Sequence, residues 1–526
     1  MLKSKFTLLL YLLAIPVFFT SCDDDSEDIM TPSPTGNETE YNLSSLTDEN
    51  ISGTAIFVEN ENSTTVVLDL SNTSGTELHP AHIHANTAAE GGNIVISLEP
   101  VDPATGTSST EITATDAGDA ITYEQLIDLD GYINVHQSEN DLGTILAQGD
   151  IGQNDLTGTT KVYNLSERAV EGISGTITFA ERINEEALAT IDLEGTPEDG
   201  EHPAHIHFNS YVQGGGIAFT FNPVNGTTGM SQTNVAELDD GSAITYQQLL
   251  SYDGYVNVHL SADDLATIVA QGDIGQNELT GTEKVYDLNE RAVPGISGTA
   301  TFQERLSGEA LAILDLEGTP DDGEHPAHIH VNSAAEGGSI AYTFTPVDGS
   351  TGMSLSHVDT LDNGEPFVYE DVLAYDGYIN VHLSAEDLAT IVAQGDIGVN
   401  ELTGNEKVYT LDTKDVEGIS GTATFQERLS GEALATIDLE GTPEGGEHPA
   451  HIHMNSAAEG GNIAFTFTPV NGTTGMSVSN VAALDDETAF GYEDVLGYDG
   501  YINVHLSAED LATIVAQGDI GSNAPE

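Results

Sequence analysis

The sequence predicts an all-β chain of four tandem antiparallel β-sandwich or flattened-barrel domains, each with one short helix. Three observations carry this. The string His-Pro-Ala-His-Ile-His begins at 79, 202, 325 and 448, and Asn-Val-His ends at 136, 259, 382 and 505, both in steps of 123 residues. A period this long encloses a whole domain with its own core, not a solenoid unit. Short β-prone runs such as Thr299 to Phe302, Thr436 to Leu439 and Ile463 to Phe467 are set off by Gly, Pro, Asn and Asp, the signature of a turn-rich antiparallel fold. The single cysteine, Cys22, excludes an internal disulfide, so stability must come from apolar cores or from metal.

The N-terminus comes first. Lys3 and Lys5 precede an apolar run, Phe6 to Thr20, and small residues lead directly to Cys22. This is the pattern of a secretory signal peptide over residues 1–21, too short to be a membrane span. Thr20-Ser21-Cys22 resembles a lipobox, which implies that Cys22 is acylated and becomes the new N-terminus. The mature protein would then be held to a membrane by covalent lipid at Cys22 alone. Asp23-Asp24-Asp25-Ser26-Glu27-Asp28 resembles the surface-export signal of Bacteroidetes lipoproteins. The expected location is the outer membrane at the cell surface; under proteobacterial sorting, Asp at that position implies inner-membrane retention instead. Residues 22–39, with Pro32, Pro34 and Gly36 among polar residues, read as a flexible tether.

Four repeats follow, at 40–152, 160–275, 283–398 and 406–521. Residues 376–398 and 499–521 are identical, and the first repeat is the most diverged. The joints repeat too: Gly152 to Gly158 recurs as Gly275 to Gly281 and Gly398 to Gly404. They read either as short regular spacers or as strand that pairs with the neighbouring domain. Within a repeat, a short helix is expected at Tyr369 to Tyr375. Ser384-Ala385-Glu386-Asp387 reads as a cap on a helical turn, and Thr390 to Ile397 as a strand. Asn455 and Glu459-Gly460-Gly461 read as a turn in which Gly supplies positive φ.

Charge narrows the partners. The chain carries 11 Lys+Arg against 87 Asp+Glu, a net charge of −76, and loss of Lys3 and Lys5 with the signal makes it −78. Such a surface argues against nucleic acid and anionic lipid. It suits a soluble, extracellular, saline setting, with weak adsorption of multivalent cations. No EF-hand loop is present.

Sixteen of the 17 histidines lie in the repeated strings. The exception, His357, has Asn234 and Asn480 as counterparts and reads as a surface residue. In the fourth repeat His451 and His453 are two apart, so on a strand they share one face while Ile452 enters the core. On a second strand Tyr501, Asn503 and His505 share a face, with Ile502 and Val504 in the core. If the strands meet, His451, His453 and His505 converge into a site for Zn²⁺ or Cu²⁺. The corresponding sets are His82, His84 and His136; His205, His207 and His259; and His328, His330 and His382. His79, His202, His325 and His448 are each a fourth ligand or a residue that orients a ligand. The alternative is a hydrogen-bonded cluster that pins a loop without metal. Tyr501 reads as a strand-packing residue.

His-Pro-Ala-His-Ile-His, a Gly-Gly turn and Gly-Tyr-Ile-Asn-Val-His resemble the CHRD domain, the module named for chordin. The resemblance spans nearly all of residues 40–521. It departs after the last His, where Thr-Ile-Val-Ala-Gln-Gly-Asp-Ile replaces a stretch resembling Gly-Glu-Ile-Arg-Gly-Gln. Chordin's role as a growth-factor antagonist does not follow from the fold. A more distant resemblance is to copper–zinc superoxide dismutases, carried by the His-x-x-His-x-His spacing and by Asn140-Asp141-Leu142-Gly143 after His136. It implies copper ligands at His82, His84 and His136, with His79 in support, and the same mapping in the other repeats. There is no bridging or zinc-loop histidine cluster, and no counterpart of the arginine those enzymes keep near copper. No nucleophile–base pair or paired carboxylates recur beside the histidines.

The expected function is a cell-surface lipoprotein with a binding or structural role toward an unknown extracellular ligand, with one histidine metal site per repeat and multivalency from repetition. A copper-dependent redox enzyme and extracellular metal capture are the alternatives.

Overall fold

The computed structural model describes residues 34–47, 50–320 and 323–525. The expected signal peptide, Cys22 and the tether up to residue 33 lie outside them. The chain divides into two compact units, Met1–Asp155 with the first repeat and Leu156–Glu526 with the other three.

The fourth repeat shows the design. Its strands are β1 (Leu402–Thr413), β2 (Ser420–Arg428), β3 (Ala433–Glu440), β4 (Ala450–Met454), β5 (Ile463–Thr466) and β6 (Met476–Val481). A short helix α1 (Tyr492–Gly497) precedes β7 (Asp499–Ser507) and β8 (Asp510–Gly521). The order across the sheet is β5-β4-β7-β8-β1-β2-β3-β6. The first and second repeats have the same order, and in the third two further two-residue strands extend it to ten. All pairings are antiparallel. β8 meets β1 at only two positions, Asp412↔Gln517 and Thr413↔Ala516. There the sheet curls over into two four-stranded layers around one core, as the sequence predicted.

Alternation builds that core. In β3, Ala433, Ala435, Ile437 and Leu439 are buried while Asp438 and Glu440 are exposed, the period-2 pattern of a half-buried strand. They pack with Phe425 of β2, Ile452 of β4, Phe465 of β5, Ile502 and Val504 of β7 and Val515 of β8. Tyr492 and Val495 of α1 are buried in the same cluster. The equivalent helix of the third repeat, Tyr369–Ala374, falls where the sequence placed it, with Tyr375 as its extended C-cap.

Some local readings change. Ser384 pairs with Asp387 across a tight turn, and the chain doubles back into the next strand. The Asp387 N–H donates to Ser384 Oγ (3.2 Å), and the Asp387 carboxylate accepts from the Thr390 N–H and hydroxyl (3.1 and 2.8 Å). A serine accepting an N–H three residues on is common to helix caps and to hairpin turns. The local signature could not tell them apart, and the ladder with the preceding strand decides. Residues 34–39, expected in the tether, belong to a strand, Pro34–Ser45, with Glu38 opposite Val58 and Thr39 opposite Phe57.

The second and third joints are not spacers. After Gly275 and Gly398 the chain turns and enters the first strand of the next repeat at Leu279 and Leu402. The β2–β3 hairpin of that repeat reaches back to the turn: Leu429 N–H donates to Glu401 O (2.9 Å) and Ser430 N–H to Val399 O (2.8 Å). Arg428, fully buried, donates to Asp396 Oδ2 of the preceding repeat (2.7 Å), to the Asn400 carbonyl and to Asn480 Oδ1 (3.0 Å). Arg305 does the same one repeat earlier, with Asp273 Oδ2 (2.6 Å) and the Asn277 carbonyl (2.5 Å). Removing one partner of a buried pair strands the other charge. Arg428→Ala should therefore destabilise the third–fourth junction by about 3 kcal/mol, read as a lower urea midpoint; a midpoint matching that of the unaltered chain would mean that the pair contributes nothing net.

Candidate metal centre

β4 and β7 are hydrogen-bonded neighbours, with His451 opposite Asn503 and His453 opposite Tyr501. Ile452 is fully buried in the core, so the two histidines point to the other face. His505 lies one diagonal step from His451, its N–H bonded to the Pro449 carbonyl (2.8 Å). The ring centroids of His451 and His505 are 5.1 Å apart, and those of His451 and His453 5.9 Å. Each ring offers one nitrogen within 4.8 Å of the other two. The same convergence holds for His82, His84 and His136, for His205, His207 and His259, and for His328, His330 and His382. All but His82 are at most 9% exposed.

Two loops cover this face and fix the rings. Gly461 O accepts from His453 Nδ1–H (3.0 Å), and Leu511 O, at the start of β8 just past the β7–β8 turn, accepts from His505 Nδ1–H (2.8 Å). A carbonyl can only accept, so both rings carry their proton on Nδ1 and leave Nε2 as a bare acceptor. Tyr501 stacks on His453, with centroids 5.0 Å apart, and its hydroxyl accepts the Gly461 N–H. Gly461 is irreplaceable here, because a Cβ would lie 2.0 Å from Met454 O. Asn455, at φ 65°, closes the loop through its Nδ2–H to Gly460 O (2.9 Å), and Gly460 itself has φ +73°.

The fourth histidine stands apart. His448 is buried, and its Nδ1–H donates to the carbonyl of His505 (3.2 Å). His202 and His325 do the same for His259 and His382, and His79 bonds Gln137 O, one residue past His136. Each braces the backbone of the third histidine and does not join the converging nitrogens.

The set leaves buried nitrogens without partners. These are Nδ1 of His82, His205, His328 and His451; Nε2 of His84, His207, His330 and His453; Nε2 of His136, His259 and His382; and Nδ1 of His259. An unsatisfied buried polar atom costs about 1–3 kcal/mol, and here several share one small volume. Burial, then the neighbouring rings, holds His205, His328 and His451 down to about 4. Burial also lowers His82, His136, His259, His382 and His505. Three neutral imidazoles with converging lone pairs can bind a borderline cation; none can act as a proton donor from that face.

Two features escaped the sequence reading. Asp116, Asp239, Asp362 and Asp485 each set negative charge beside the first ring of a triad. Asp485 is held in place by the Thr466 N–H and hydroxyl (2.9 and 2.7 Å). Their 123-residue spacing was the available signal. The other is His357: its side chain is 5% exposed, not a surface group. Its position on the third repeat's sixth strand, Met353–Val358, faces the second repeat, a contact no single repeat's sequence reveals.

The lowered histidines give the metal-free protein a pH-dependent stability. Their folded pKa values lie below the usual 6.5, so the unfolded chain binds more protons between about 6.5 and about 4. Stability is therefore complete above 6.5 and is lost as pH falls through that window. In chelator, the melting temperature should drop between pH 7 and pH 5, and His451→Asn should flatten the drop; an unchanged slope would assign it to other groups.

No curated protein matches the chain. Residues 37–148 match the CHRD domain, and they include His79, His82, His84 and His136; this segment is a CHRD domain.

Proposed function

We propose that each repeat binds one Zn²⁺ or Cu²⁺ ion through its three converging imidazoles. On this reading the chain is a lipid-anchored, surface-displayed array of four such CHRD domains. The observation that carries it is the set of bare, buried nitrogens turned toward one another. A purely structural histidine cluster explains the Nδ1–H bonds to Gly461 and Leu511 carbonyls, which pin both loops with or without metal. It gives no reason for leaving the opposite nitrogen of His453, or Nδ1 of His451, buried and unsatisfied. A ligand imidazole with its second N–H on a carbonyl is the usual arrangement at a metal. Three nitrogens without thiolate suit Zn²⁺ or Cu²⁺, and Asp485 adds charge that favours a cation.

The ion would tie β4, β7 and both covering loops together, stabilising the native state by mass action. Repetition multiplies one weak surface contact into avidity without new chemistry. Lipid attachment at Cys22 would place the array on a membrane. Copper would open electron transfer and zinc would not, so the identity of the bound metal separates a redox role from display or capture.

His451→Ala, His453→Ala and His505→Ala should each remove one equivalent of tightly bound Zn²⁺ or Cu²⁺ from the full chain. His448→Ala should keep the stoichiometry and weaken that site by about 10–100-fold. Titration calorimetry checks both, and unchanged stoichiometry in the first three would leave the triads as structural clusters. Cys22→Ser should abolish incorporation of a clickable fatty acid and release the protein from membranes; retained label would remove the anchor.

A further inference from the structure

The third repeat carries a group that its sisters lack. On its sixth strand and just beyond stand His357 and Asp359, where the second and fourth repeats have Asn234 and Ala236, and Asn480 and Ala482. In the sister repeats the asparagine has a defined task. Asn480 Oδ1 accepts from Arg428 Nε (3.0 Å) and its Nδ2 donates to Glu432 (2.8 Å). Asn234 links Arg182 and Glu186 identically (2.9 and 2.8 Å). His357 breaks that pattern: Arg305 Nε is buried without a partner.

What replaces the link is a different donor set. His357 Nε2 faces Glu309 Oε2 at 3.5 Å and Asp359 Oδ2 at 3.9 Å. One ligand atom from each of the three lies within 4.8 Å of the others. The opposite nitrogen, Nδ1, sits 3.3 Å from Ser210 Oγ of the second repeat. That hydroxyl donates its own proton to Gln213 Oε1 (3.0 Å), so it can only accept from His357. Nδ1 therefore carries a proton, and Nε2 is the atom turned toward the two carboxylates. With the ring neutral these are three acceptors facing one another, which repel unless a cation lies between them. Asp253 adds further negative charge, and Arg305, a nearby cation, pairs with Asp273 through Nη1.

We propose that Glu309, His357 and Asp359 form a metal site of the His-plus-two-carboxylate class at the second–third repeat junction, taking Zn²⁺ or a similar divalent ion. Nitrogen and carboxylate oxygen together are ordinary zinc ligands. The harder oxygen donors set this site apart from the all-imidazole triads, and favour ions those would hold less well. Its outer contact, Ser210, lies in the loop that follows His207, so the ion would join the third repeat to the loop covering the second repeat's triad.

The test compares the full chain with His357→Asn and Asp359→Ala, each restoring the residue of the sister repeats. Both should fold, since the same residues occupy those positions in two neighbouring domains. Zn²⁺ retained after gel filtration through a weak chelator is counted per chain. The expected result is one equivalent fewer in each variant than in the unaltered chain, whatever number the triads hold. An equal count in all three proteins, with unchanged melting profiles, overturns the site and leaves His357 as an ion-paired imidazolium. A failure of the triads to bind would appear separately, as a loss from one equivalent to none.

Discussion

Strand β4 runs antiparallel to β7 with His451 opposite Asn503 and His453 opposite Tyr501, and this register governs everything built above it. The side-chain period of a strand is two, so a slip of one residue would turn both histidines into the core and Ile452 out of it. Burying an isoleucine gains about 2–3 kcal/mol, and placing two imidazoles in an apolar core without partners costs more than that. The apolar core thus selects the register, and the register selects which nitrogens meet. The histidine triad is a by-product of hydrophobic alternation in two strands, repeated four times.

Above that platform the loops do chemical work with their backbones. Carbonyls of Gly461 and Leu511 fix which nitrogen of each ring is protonated, and burial lowers the pKa of His505. Neither task needs a charged side chain. It follows that the loops can vary in their exposed residues while the face they cover keeps its donor set, provided that the chain still turns at Asn455 and Gly460.

Much of this was legible from residue order. The repeat period, the alternation of His451-Ile452-His453, the convergence with His505 and the short helix at Tyr369 all follow from local periodicity, and local periodicity is what a single sequence expresses. The covering turn at Asn455 to Gly461 was legible through its glycines. Other features depended on where strands go after they leave the local frame. The Ser384-to-Asp387 segment carries a motif shared by two structures, and only the pairing of its flanking strands chooses. His448 was ambiguous between ligand and brace because sequence spacing does not give ring direction. His357 was misread because its surroundings come from another repeat. The role of Arg305 and Arg428 was invisible for the same reason, although all nine cations beyond Lys5 fall at three positions repeated every 123 residues. A polyanionic chain places its scarce positive charges in register with its own period, several of them where one repeat meets the next.

The hairpins at 376–398 and 499–521 have one sequence and two addresses. Each supplies the seventh and eighth strands of its own sandwich, and nothing in its residues distinguishes which of the two it should join. An exchange of hairpins between the two repeats would satisfy every core contact and every histidine equally well. What separates the correct arrangement from the exchanged one is connectivity and timing. The third repeat is completed before the residues of the fourth have been synthesised, and a closed sandwich no longer offers an edge to a late-arriving copy. Fidelity in such an array is therefore kinetic: it is written in the direction of synthesis and in the short loops, not in the free energy of the finished fold.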